Sequence, residues 1–571
     1  MSVKTYLQEQ IRLVSLSSYD LFTDEEYDLY MQIIDFKTQL DELDEKGADK
    51  QEKQPIIEEK NKVKKKLETL ILKHGDTPRT VRLKSVIYYP KEADYDFPAG
   101  VTYHNLKVSK KIAEFCCELS RAMGLKHLDN TLDLIVVKWK NTEILRQLVM
   151  NGFYMPLCTP AGVEYRHYHF YTSSAGQLRR DKLMMISDDA WEKVKDRVTC
   201  GMTWDEINRK GGICCNKLSA YEALCNSATE EWTDFDIDRT IVVDDFEAEV
   251  TDRLTYIKPD YTWETGVKSV MINHTDGCGM MLPEVSMSNF MVRAPFIKGL
   301  LISWDWIKFC KMQDVPPVVK DIYGVEHDLV KENIQIIFFK SMFKLNKYFD
   351  DWDDYKTRFK KNNCKFGKTN YEEEYLANKA LNYQFLNAIT DMTDDEIKQF
   401  VQYEHDRIEH ITKDEKAMLE TLGADEDSDS PYKAALAYYP ELLREAYAHD
   451  SLKDIRRRMI MDAKSGRIKC NPKYGGNKRL YVCPDLYAVS EWLFCHEEHP
   501  KGLLKNGEIA CKVFRRHEKA DVLRSPCLAM DHAVRNIVHD QKIYDWFYTN
   551  GVYTSVSDLI SRVLQFDQWS N

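Results

Sequence analysis

Two lysines stand beside strand ends or glycines, and their types and spacing suit chemistry on phosphates. Residues 274–280 read HTDGCGM, and the two glycines predict a tight turn with positive φ or a close approach of two backbones. Lys298 precedes a glycine at the start of an apolar strand, where its ammonium can meet phosphate while the backbone packs closely. Residues 341–344 read SMFK and add Lys344 after another apolar run. Such cations suit a polyanionic substrate.

A second group of basic residues lies near the end of the chain. Arg524 falls in the run LRSPCL, residues 523–528, and Arg535 follows eleven residues later. Basic residues from separate regions can serve one polyanion only if the fold brings them together. The sequence therefore predicts a cationic site assembled from distant segments.

Four carboxylates in residues 236–245 offer a different chemistry. Asp244 and Asp245 follow a short apolar run, and Asp236 and Asp238 lie just upstream. Carboxylate oxygens are the ligands that Mg²⁺ prefers, so these residues would suit a magnesium site. Solvated acids that cap the end of a strand fit the same pattern, and we favour this second interpretation.

Composition excludes several classes of protein. The 571 residues include 80 basic and 92 acidic side chains, a net charge of −12, which excludes a globally basic coat but not a local basic channel. The apolar runs are far shorter than a membrane span, and the N-terminus has no secretory signal. The 15 cysteines include no CxxC pair, which indicates a reducing cytosol. The P-loop, HExxH and GxSxG motifs are absent.

The first 75 residues predict a hairpin of two helices. The run TDEE, residues 23–26, is typical of a capping box, and apolar residues then recur at helical spacing. We expect Pro55 in the first turn of the second helix and Gly75 at its end. Two helices joined by a short break favour antiparallel packing.

Strands and helices alternate beyond residue 75. Residues 346–422 predict helices, and residues 425–431, DEDSDSP, predict a solvated acidic linker. Runs rich in β-branched and aromatic residues predict strands. These runs are residues 135–137, 168–171, 241–243, 267–272, 299–302, 334–339, 459–461, 479–482 and 508–514.

Several motifs, taken in order, resemble those of the two-barrel RNA polymerases. The single-chain phage enzymes resemble the sequence more than the eukaryotic cell-encoded RNA-dependent RNA polymerases, to which they are related. The resemblance covers about residues 100–567. The motifs are SSAGQLR at 173–179, TDGCG at 275–279, FIKGLL at 296–301, SMFK at 341–344, DAKSGRI at 462–468 and RSPCL at 524–528.

The resemblance implies an α+β fold with a double-psi β-barrel RNA polymerase core. The first barrel is expected to be complete and the second truncated, with helical N-terminal and inter-barrel regions. The implied domains are an N-terminal helical hairpin (1–75), an α/β region (76–265), the first barrel (266–345), a helical inter-barrel region with the acidic linker (346–450), an incomplete second barrel (451–567) and an aberrant tail (568–571).

The family joins nucleotides by two-Mg²⁺ transfer, and the resemblance assigns roles to individual residues. Lys298 and Lys344 are expected to be catalytic lysines that neutralise the phosphates of the NTP. Asp567 is expected to be the first catalytic, metal-binding aspartate of the family's D-x-D-G-D loop. Contacts with nucleic acid or NTP are implied for Asp276, Gly277, Gly279, Gln177, Arg179, Arg524 and Arg535.

The D-x-D-G-D pattern breaks off after Asp567, where the sequence reads QWSN. One carboxylate cannot hold two divalent ions. We therefore expect the N-terminal part of an interrupted phage RNA polymerase, inactive alone, with a second polypeptide supplying the rest of the second barrel. The expected partners are a nucleic-acid template, the RNA product and NTPs, in the host-cell cytoplasm and without a membrane. DNA and RNA templates both stay open.

Two other functions fit the same residues. A non-catalytic nucleic-acid-binding paralogue would keep the fold without the metals. A Mg²⁺-dependent nuclease would use the four carboxylates of residues 236–245. A nuclease assay with added Mg²⁺ or Mn²⁺ separates the nuclease from the polymerase and from the paralogue.

Overall fold

The chain divides into two units in the computed structural model. Unit one comprises Met1–Phe235, Val292–Lys298 and Lys344–Thr369, and unit two comprises Asp236–Met291, Gly299–Phe343 and Asn370–Asn571. No helix in the described part of the chain is long and apolar enough to cross a membrane. The structure describes residues 14–45, 47–82, 102–103, 106–107, 134–159, 162–173, 178, 180–212, 230–258, 260–372, 378–381, 386, 392–428, 430–474, 476–523 and 533–559.

Helices and strands both occur in each unit, so the predicted α+β class is confirmed. The described α-helices are α1 (Asp24–Glu45), α2 (Lys50–Lys73), α3 (Thr142–Asn151), α4 (Asp188–Thr199), α5 (Trp204–Arg209), α6 (Trp306–Gln313), α7 (Trp352–Lys361), α8 (Asp394–His410), α9 (Glu415–Leu422), α10 (Pro431–Tyr438), α11 (Ala446–Lys464), α12 (Leu486–Cys495) and α13 (Gln541–Tyr544).

The strands are numbered in the same way, in chain order. They are β1 (Val14–Ser17), β2 (Arg79–Thr80), β3 (Thr102–Tyr103), β4 (Leu106–Lys107), β5 (Leu134–Lys138), β6 (Phe153–Thr159), β7 (Gly162–Thr172), β8 (Lys182–Ser187), β9 (Glu230–Glu231), β10 (Thr240–Val243), β11 (Glu247–Ile257), β12 (Trp263–Asn273), β13 (Cys278–Met281), β14 (Phe290–Ala294), β15 (Ile297–Ser303), β16 (Val318–Lys320), β17 (Glu326–Asp328), β18 (Ile336–Phe339), β19 (Gly367–Thr369), β20 (Val482–Pro484), β21 (Glu508–Cys511), β22 (Lys519–Val522), β23 (Ala533–Ile537) and β24 (Val552–Thr554).

Unit one contains a six-stranded sheet in the order β1-β5-β8-β7-β6-β2. The neighbours β5-β8, β8-β7 and β7-β6 are antiparallel, whereas β1-β5 and β6-β2 are parallel. Ile135, Val137, Phe153 and Tyr168 are fully buried in the core on one face of this sheet. The strands predicted at 135–137 and 168–171 are therefore confirmed.

The predicted capping box at the start of α1 is confirmed. The backbone N–H of Thr23 donates to Glu26 Oε2 at 2.9 Å, and the N–H of Glu26 donates to Thr23 Oγ1 at 3.2 Å. Each side chain thus satisfies a backbone donor that the first helical turn leaves without a partner.

The predicted start of α2 is wrong, because α2 begins at Lys50 and Pro55 lies inside it. The Asp49 carboxylate accepts the backbone N–H groups of Gln51 and Glu52, and this N-cap fixes the start five residues earlier than predicted. Gly75, with φ 69°, follows the last turn, as expected for a residue that ends a helix.

A buried ion pair joins α1 to the sheet of unit one. The Arg79 guanidinium and the Glu26 carboxylate are each about 1% exposed, and they lie 2.8 Å apart. Arg79 also donates from Nε to Gln147 Oε1 at 2.6 Å and from Nη1 to the carbonyl of Leu21 at 3.1 Å. Burial without these partners would be costly for either charge.

Two sheets, one of seven strands and one of five, lie mainly in unit two and share the order of five strands. In the first, β10, β18, β13 and β15 are successive neighbours whose pairings are parallel, antiparallel and parallel. In the second, β20, β24, β21 and β23 follow each other with the same three directions. The fifth strand of each sheet is the one that directly precedes its neighbour in the chain. It is β14 beside β15 in the first sheet and β22 beside β23 in the second. Unit two thus repeats one five-strand topology.

One hydrophobic core serves both sheets of unit two. It includes Val243, Met280 and Phe339 from the first sheet and Ala510 and Tyr553 from the second. The strands predicted at 241–243, 267–272 and 299–302 are confirmed. The runs 334–339 and 508–514 each form a strand over part of their length, β18 and β21, whereas only the last residue of 479–482 lies in a strand, β20.

The helices α8 to α11 enclose a smaller core within unit two. Ile411, Leu436, Leu443 and Leu452 are its buried members. The strand predicted at 459–461 is wrong, because these residues continue α11. These residues favour a strand by composition, but the helical spacing of the apolar residues around them and their helix's packing against α9 have the larger effect. The double-psi barrels and the predicted domain bounds stay predictions.

Replacement of Glu26 by Ala tests the buried ion pair of unit one. The change leaves the buried Arg79 charge without its carboxylate, so we expect the free energy of unfolding to fall by about 3–5 kcal/mol. Glu25→Ala is the matched control, because Glu25 is exposed in the same helical turn. It should cost less than about 1 kcal/mol. Urea unfolding monitored by circular dichroism measures both changes, and equal losses would contradict the assignment.

Candidate functional site

The turn between β12 and β13 adopts the tight geometry that its glycines predict. Gly277 has φ 70°, a conformation that L side chains rarely adopt. Its backbone N–H donates to Ser341 Oγ at 2.7 Å. Asp276, the residue before it, is half-buried at the surface of unit two. The turn therefore directly contacts the start of the SMFK motif, 64 residues away in the chain.

Two glycines allow backbones to approach more closely than any side chain permits. A Cβ at Gly299 would lie 2.4 Å from the carbonyl oxygen of Gly277, and a Cβ at Gly279 would lie 2.6 Å from that of Ile337. Real Cβ atoms do not come this near to backbone oxygen atoms. Both of these glycines are thus required for close approach, which is one of the two roles predicted from the sequence.

Backbone pairing holds three of the sequence motifs together. The N–H of Leu300 donates to the carbonyl of Gly277 at 2.9 Å, and Cys278 is in parallel register with Leu300. On the other side of β13, Gly279 is in antiparallel register with Phe338. TDGCG, FIKGLL and the strand leading to SMFK therefore occupy adjacent strands.

The two predicted lysines extend from segments that are bonded to each other within unit one. Lys298 is half-buried in β15, and Lys344 is half-buried just after the 3₁₀ turn Lys340–Met342. The backbone N–H of Lys344 donates to the carbonyl of Phe296 at 2.7 Å, two residues before Lys298. The fold thus brings together two backbone segments whose lysines are 46 residues apart in sequence.

A cleft of about 140 Å³ opens beside the glycine turn in unit two. Its lining combines the first sheet with the start of the second. The lining residues are His274, Asp276, Gly277, Cys278, Leu300, Val482 and Pro484.

His274 forms the buried wall of this cleft. Its side chain is 3% exposed and stacks on Phe246, with ring centroids 5.5 Å apart. Burial lowers the pKa of His274 to about 4, and the charge of Asp558 opposes this shift more weakly. The imidazole is therefore neutral at pH 7.

Arg535, a predicted contact for nucleic acid or NTP, is bound to Asp558. Its Nε and Nη2 donate to the two carboxylate oxygens at 2.6 and 2.8 Å, and Asp558 is fully buried. This bidentate bond is the main cause that raises the pKa of Arg535. The guanidinium thus has a structural role in the second sheet, and its contact with a substrate stays a prediction.

Four predicted site residues lie outside the described residues, so their roles stay predictions. They are Gln177, Arg179, Arg524 and Asp567. Within the described part of the chain, no group of three His, Cys, Asp or Glu side chains is arranged to hold a metal ion. The described residues alone therefore do not fit the expected Mg²⁺, and Asp567 stays its predicted ligand.

The acidic residues before β11 have partners of their own. Asp244 forms an exposed ion pair with Lys340 at 2.9 Å, and Asp236 caps a short 3₁₀ turn through the N–H of Asp238. Asp245 instead bonds Ser341 inside the site. No such role was predicted for Asp245 from the sequence, because its partner lies 96 residues away. Its place directly after a buried strand was the only available signal.

Comparison with known proteins agrees with the resemblance that the motifs indicate. No family model matches the chain. The chain is 36% identical over 569 residues to "DNA-directed RNA polymerase YonO" of Bacillus phage SPbeta. The chain is therefore similar in sequence to a phage DNA-directed RNA polymerase. The matched region covers 99% of this chain and 63% of the length of that relative. The resemblance to phage RNA polymerases is confirmed, whereas the link to the eukaryotic enzymes stays a prediction.

Replacement of Gly299 by Ala tests the close approach in the site. The new Cβ would meet the carbonyl oxygen of Gly277 and the side chain of Met342, so we expect a loss of about 1–3 kcal/mol in the free energy of unfolding. Gly266→Ala is the control, because a Cβ there meets nothing within 4 Å. Its effect should stay within about 0.5 kcal/mol in the same denaturation experiment. A tolerated Gly299→Ala would contradict this packing.

The depressed pKa of His274 predicts acid sensitivity. The group has a pKa of about 4 when folded and about 6.5 when unfolded, so its contribution to stability is full above pH 6.5 and is lost as the pH falls to 4. The full difference corresponds to about 3 kcal/mol. Between pH 7 and pH 4, the free energy of unfolding of the His274→Gln variant should fall by about 3 kcal/mol less than that of the wild type.

The control for this pH experiment is His499→Gln, which changes an exposed histidine of the same unit. The wild type and the control should have parallel curves of unfolding free energy against pH. A His274→Gln curve that runs parallel to both would show that His274 does not titrate as described.

Proposed function

We propose that this chain is part of a single-chain phage DNA-directed RNA polymerase and contributes the site that binds the phosphates of the incoming NTP. The observation that carries the proposal is the 36% identity to the phage SPbeta polymerase across 99% of the chain. Because the chain spans 63% of that relative, the whole enzyme's activity, template and product belong to the proposal. The name of the relative favours DNA as the template.

In this proposal, Lys298 and Lys344 balance the negative charge on the phosphates of the NTP. In the reaction, the 3′-oxygen of the RNA bonds to the α-phosphorus of the NTP, pyrophosphate leaves, and the hydroxyl proton passes to solvent. Negative charge on the phosphate oxygens must be balanced throughout. Lys298 and Lys344 are proposed to supply this balance, because their segments are joined by the bond from Lys344 N–H to the Phe296 carbonyl.

Mg²⁺ bound to the complete enzyme would activate the attacking hydroxyl and stabilise the leaving pyrophosphate. Asp567 is the ligand proposed from this chain. The remaining aspartates of a D-x-D-G-D loop are proposed to lie in the part of the enzyme that corresponds to the rest of the phage relative, which would also complete the second double-psi barrel. The repeated strand order of unit two supports a two-barrel core.

The nuclease alternative has little support from the geometry. Among the described residues, which include all four of its carboxylates, no group of three potential ligands could hold a metal ion. Asp244 and Asp236 are also engaged by a lysine and a helix cap. The non-catalytic paralogue is distinguished only by activity, so it is an outcome of the experiment below.

The decisive experiment measures NTP incorporation on a DNA template by the 571-residue chain. The assay is run with the chain alone and with a polypeptide comprising the part of the phage relative outside the matched region. We expect synthesis only in the mixture. Lys298→Ala should lower the rate there on the order of 10²–10³-fold, as for a lost preorganised electrostatic donor. Lys311→Ala, which changes an exposed lysine of α6, should leave the rate unchanged.

The other outcomes separate the alternatives. Synthesis by the 571-residue chain alone would contradict the proposal that the metal site needs the rest of the enzyme. Salt-sensitive nucleic-acid binding without synthesis in the mixture would favour the non-catalytic paralogue. Metal-dependent cleavage of nucleic acid that Asp244→Asn abolishes would instead identify a nuclease.

A further inference from the structure

Asp245 lies at the centre of a hydrogen-bond network beside the glycine turn. Its Oδ1 accepts the Ser341 hydroxyl at 2.7 Å, and its Oδ2 accepts the Ser341 backbone N–H at 3.0 Å. The carboxylate thus holds both the backbone and the side chain of a residue 96 positions away. Hydrogen bonds to a charged acceptor are among the stronger ones in proteins.

The direction of these bonds extends the network to Gly277. Because the Ser341 hydroxyl proton points at Asp245, a lone pair of the oxygen is available to the Gly277 N–H, which donates to it at 2.7 Å. The carbonyl of Gly277 in turn accepts the N–H of Leu300 at 2.9 Å. A continuous chain of bonds therefore runs from the carboxylate to β15.

Thr275 adds a second connection to the same turn. Its hydroxyl donates to Asp245 Oδ1 at 3.3 Å and accepts the backbone N–H of Phe246 at 2.9 Å. Asp245 is therefore tied to both sides of the turn. Asp244, the preceding carboxylate, has only the exposed lysine Lys340 as its described side-chain partner.

We propose that Asp245 is a positioning residue that fixes the segments from which the two phosphate-binding lysines extend. Lys298 lies two residues before Leu300, and Lys344 lies three residues after Ser341, so each lysine is close in sequence to a bond of the network. Asp245 itself does not contact substrate. This inference rests on the proposed function, because that function assigns the lysines to phosphate binding.

The expected effect is on substrate affinity more than on the chemical step. Without the carboxylate, Ser341 loses two bonds and the glycine turn loses its fixed acceptor, so the lysine-bearing segments sample more positions. Loss of hydrogen bonds to a charged group corresponds to a change of about tenfold to a hundredfold in an equilibrium constant. KM for the NTP should rise by this factor, while kcat changes less than about threefold.

The kinetic test uses the active mixture of the 571-residue chain and the added polypeptide described above. The variants are Asp245→Ala, Asp245→Asn, Ser341→Ala and the double variant, with Asp244→Asn as the matched control. Asp245→Asn should restore much of the loss, because its amide oxygen still accepts the Ser341 hydroxyl. The double variant should resemble Asp245→Ala alone, since both changes break one chain of bonds.

A second readout does not depend on activity. Hydrogen exchange of the Gly277 amide, measured on the chain alone, should be at least about tenfold faster in Asp245→Ala than in Asp244→Asn, because only the first loses the held acceptor. Equal exchange in the two variants would overturn the proposal. So would an unchanged KM in Asp245→Ala, or a loss confined to kcat.

The two proposals fail in distinguishable ways. If the wild-type mixture makes no RNA, the proposed function fails, and with it the assignment of Asp245 to phosphate binding. If the wild type is active and Asp245→Ala matches Asp244→Asn in KM and in exchange, only the present inference fails.

Discussion

The close approach of backbones at Gly279 and Gly299, together with the positive φ of Gly277, is the constraint on which the candidate site depends. A side chain at Gly299 would displace the carbonyl of Gly277, and that carbonyl pairs the glycine turn with the strand that carries Lys298. The same turn bonds Ser341 and so reaches the segment of Lys344. Three distant motifs can lie on adjacent strands because no Cβ separates their backbones at Gly279 and Gly299.

The framework around this site is a five-strand topology that occurs twice in unit two. The two sheets share one core, and buried hydrogen bonds join segments that flank the strands of the first sheet to a helix and a loop next to the second. Trp304 donates from its indole nitrogen to Ser490 Oγ at 2.9 Å, and Asn289 donates to Thr549 Oγ1 at 2.8 Å. Because buried polar groups need partners, these bonds favour a single arrangement of the two sheets over others with equal apolar burial.

Two of the arginines in this acidic chain form ion pairs that stabilise the fold. The buried pairs Arg79–Glu26 and Arg535–Asp558 stabilise structure, and their guanidinium groups are bidentate partners of carboxylates. Lys298 and Lys344 lie in segments of unit one that a backbone hydrogen bond joins. The net charge of −12 describes the whole chain and does not show where basic side chains are concentrated.

The sequence by itself determined the local elements and the order of the motifs. The capping box at Thr23, the strand 241–243 and the glycines of TDGCG follow from side-chain size, capping chemistry and backbone freedom, which act over a few residues. Tertiary structure alone decided that Asp245 holds Ser341, that Arg535 is bound by Asp558, and that residues 459–461 are helical. Each depends on partners far along the chain or on packing against another element, and a single sequence carries no distance information of that kind.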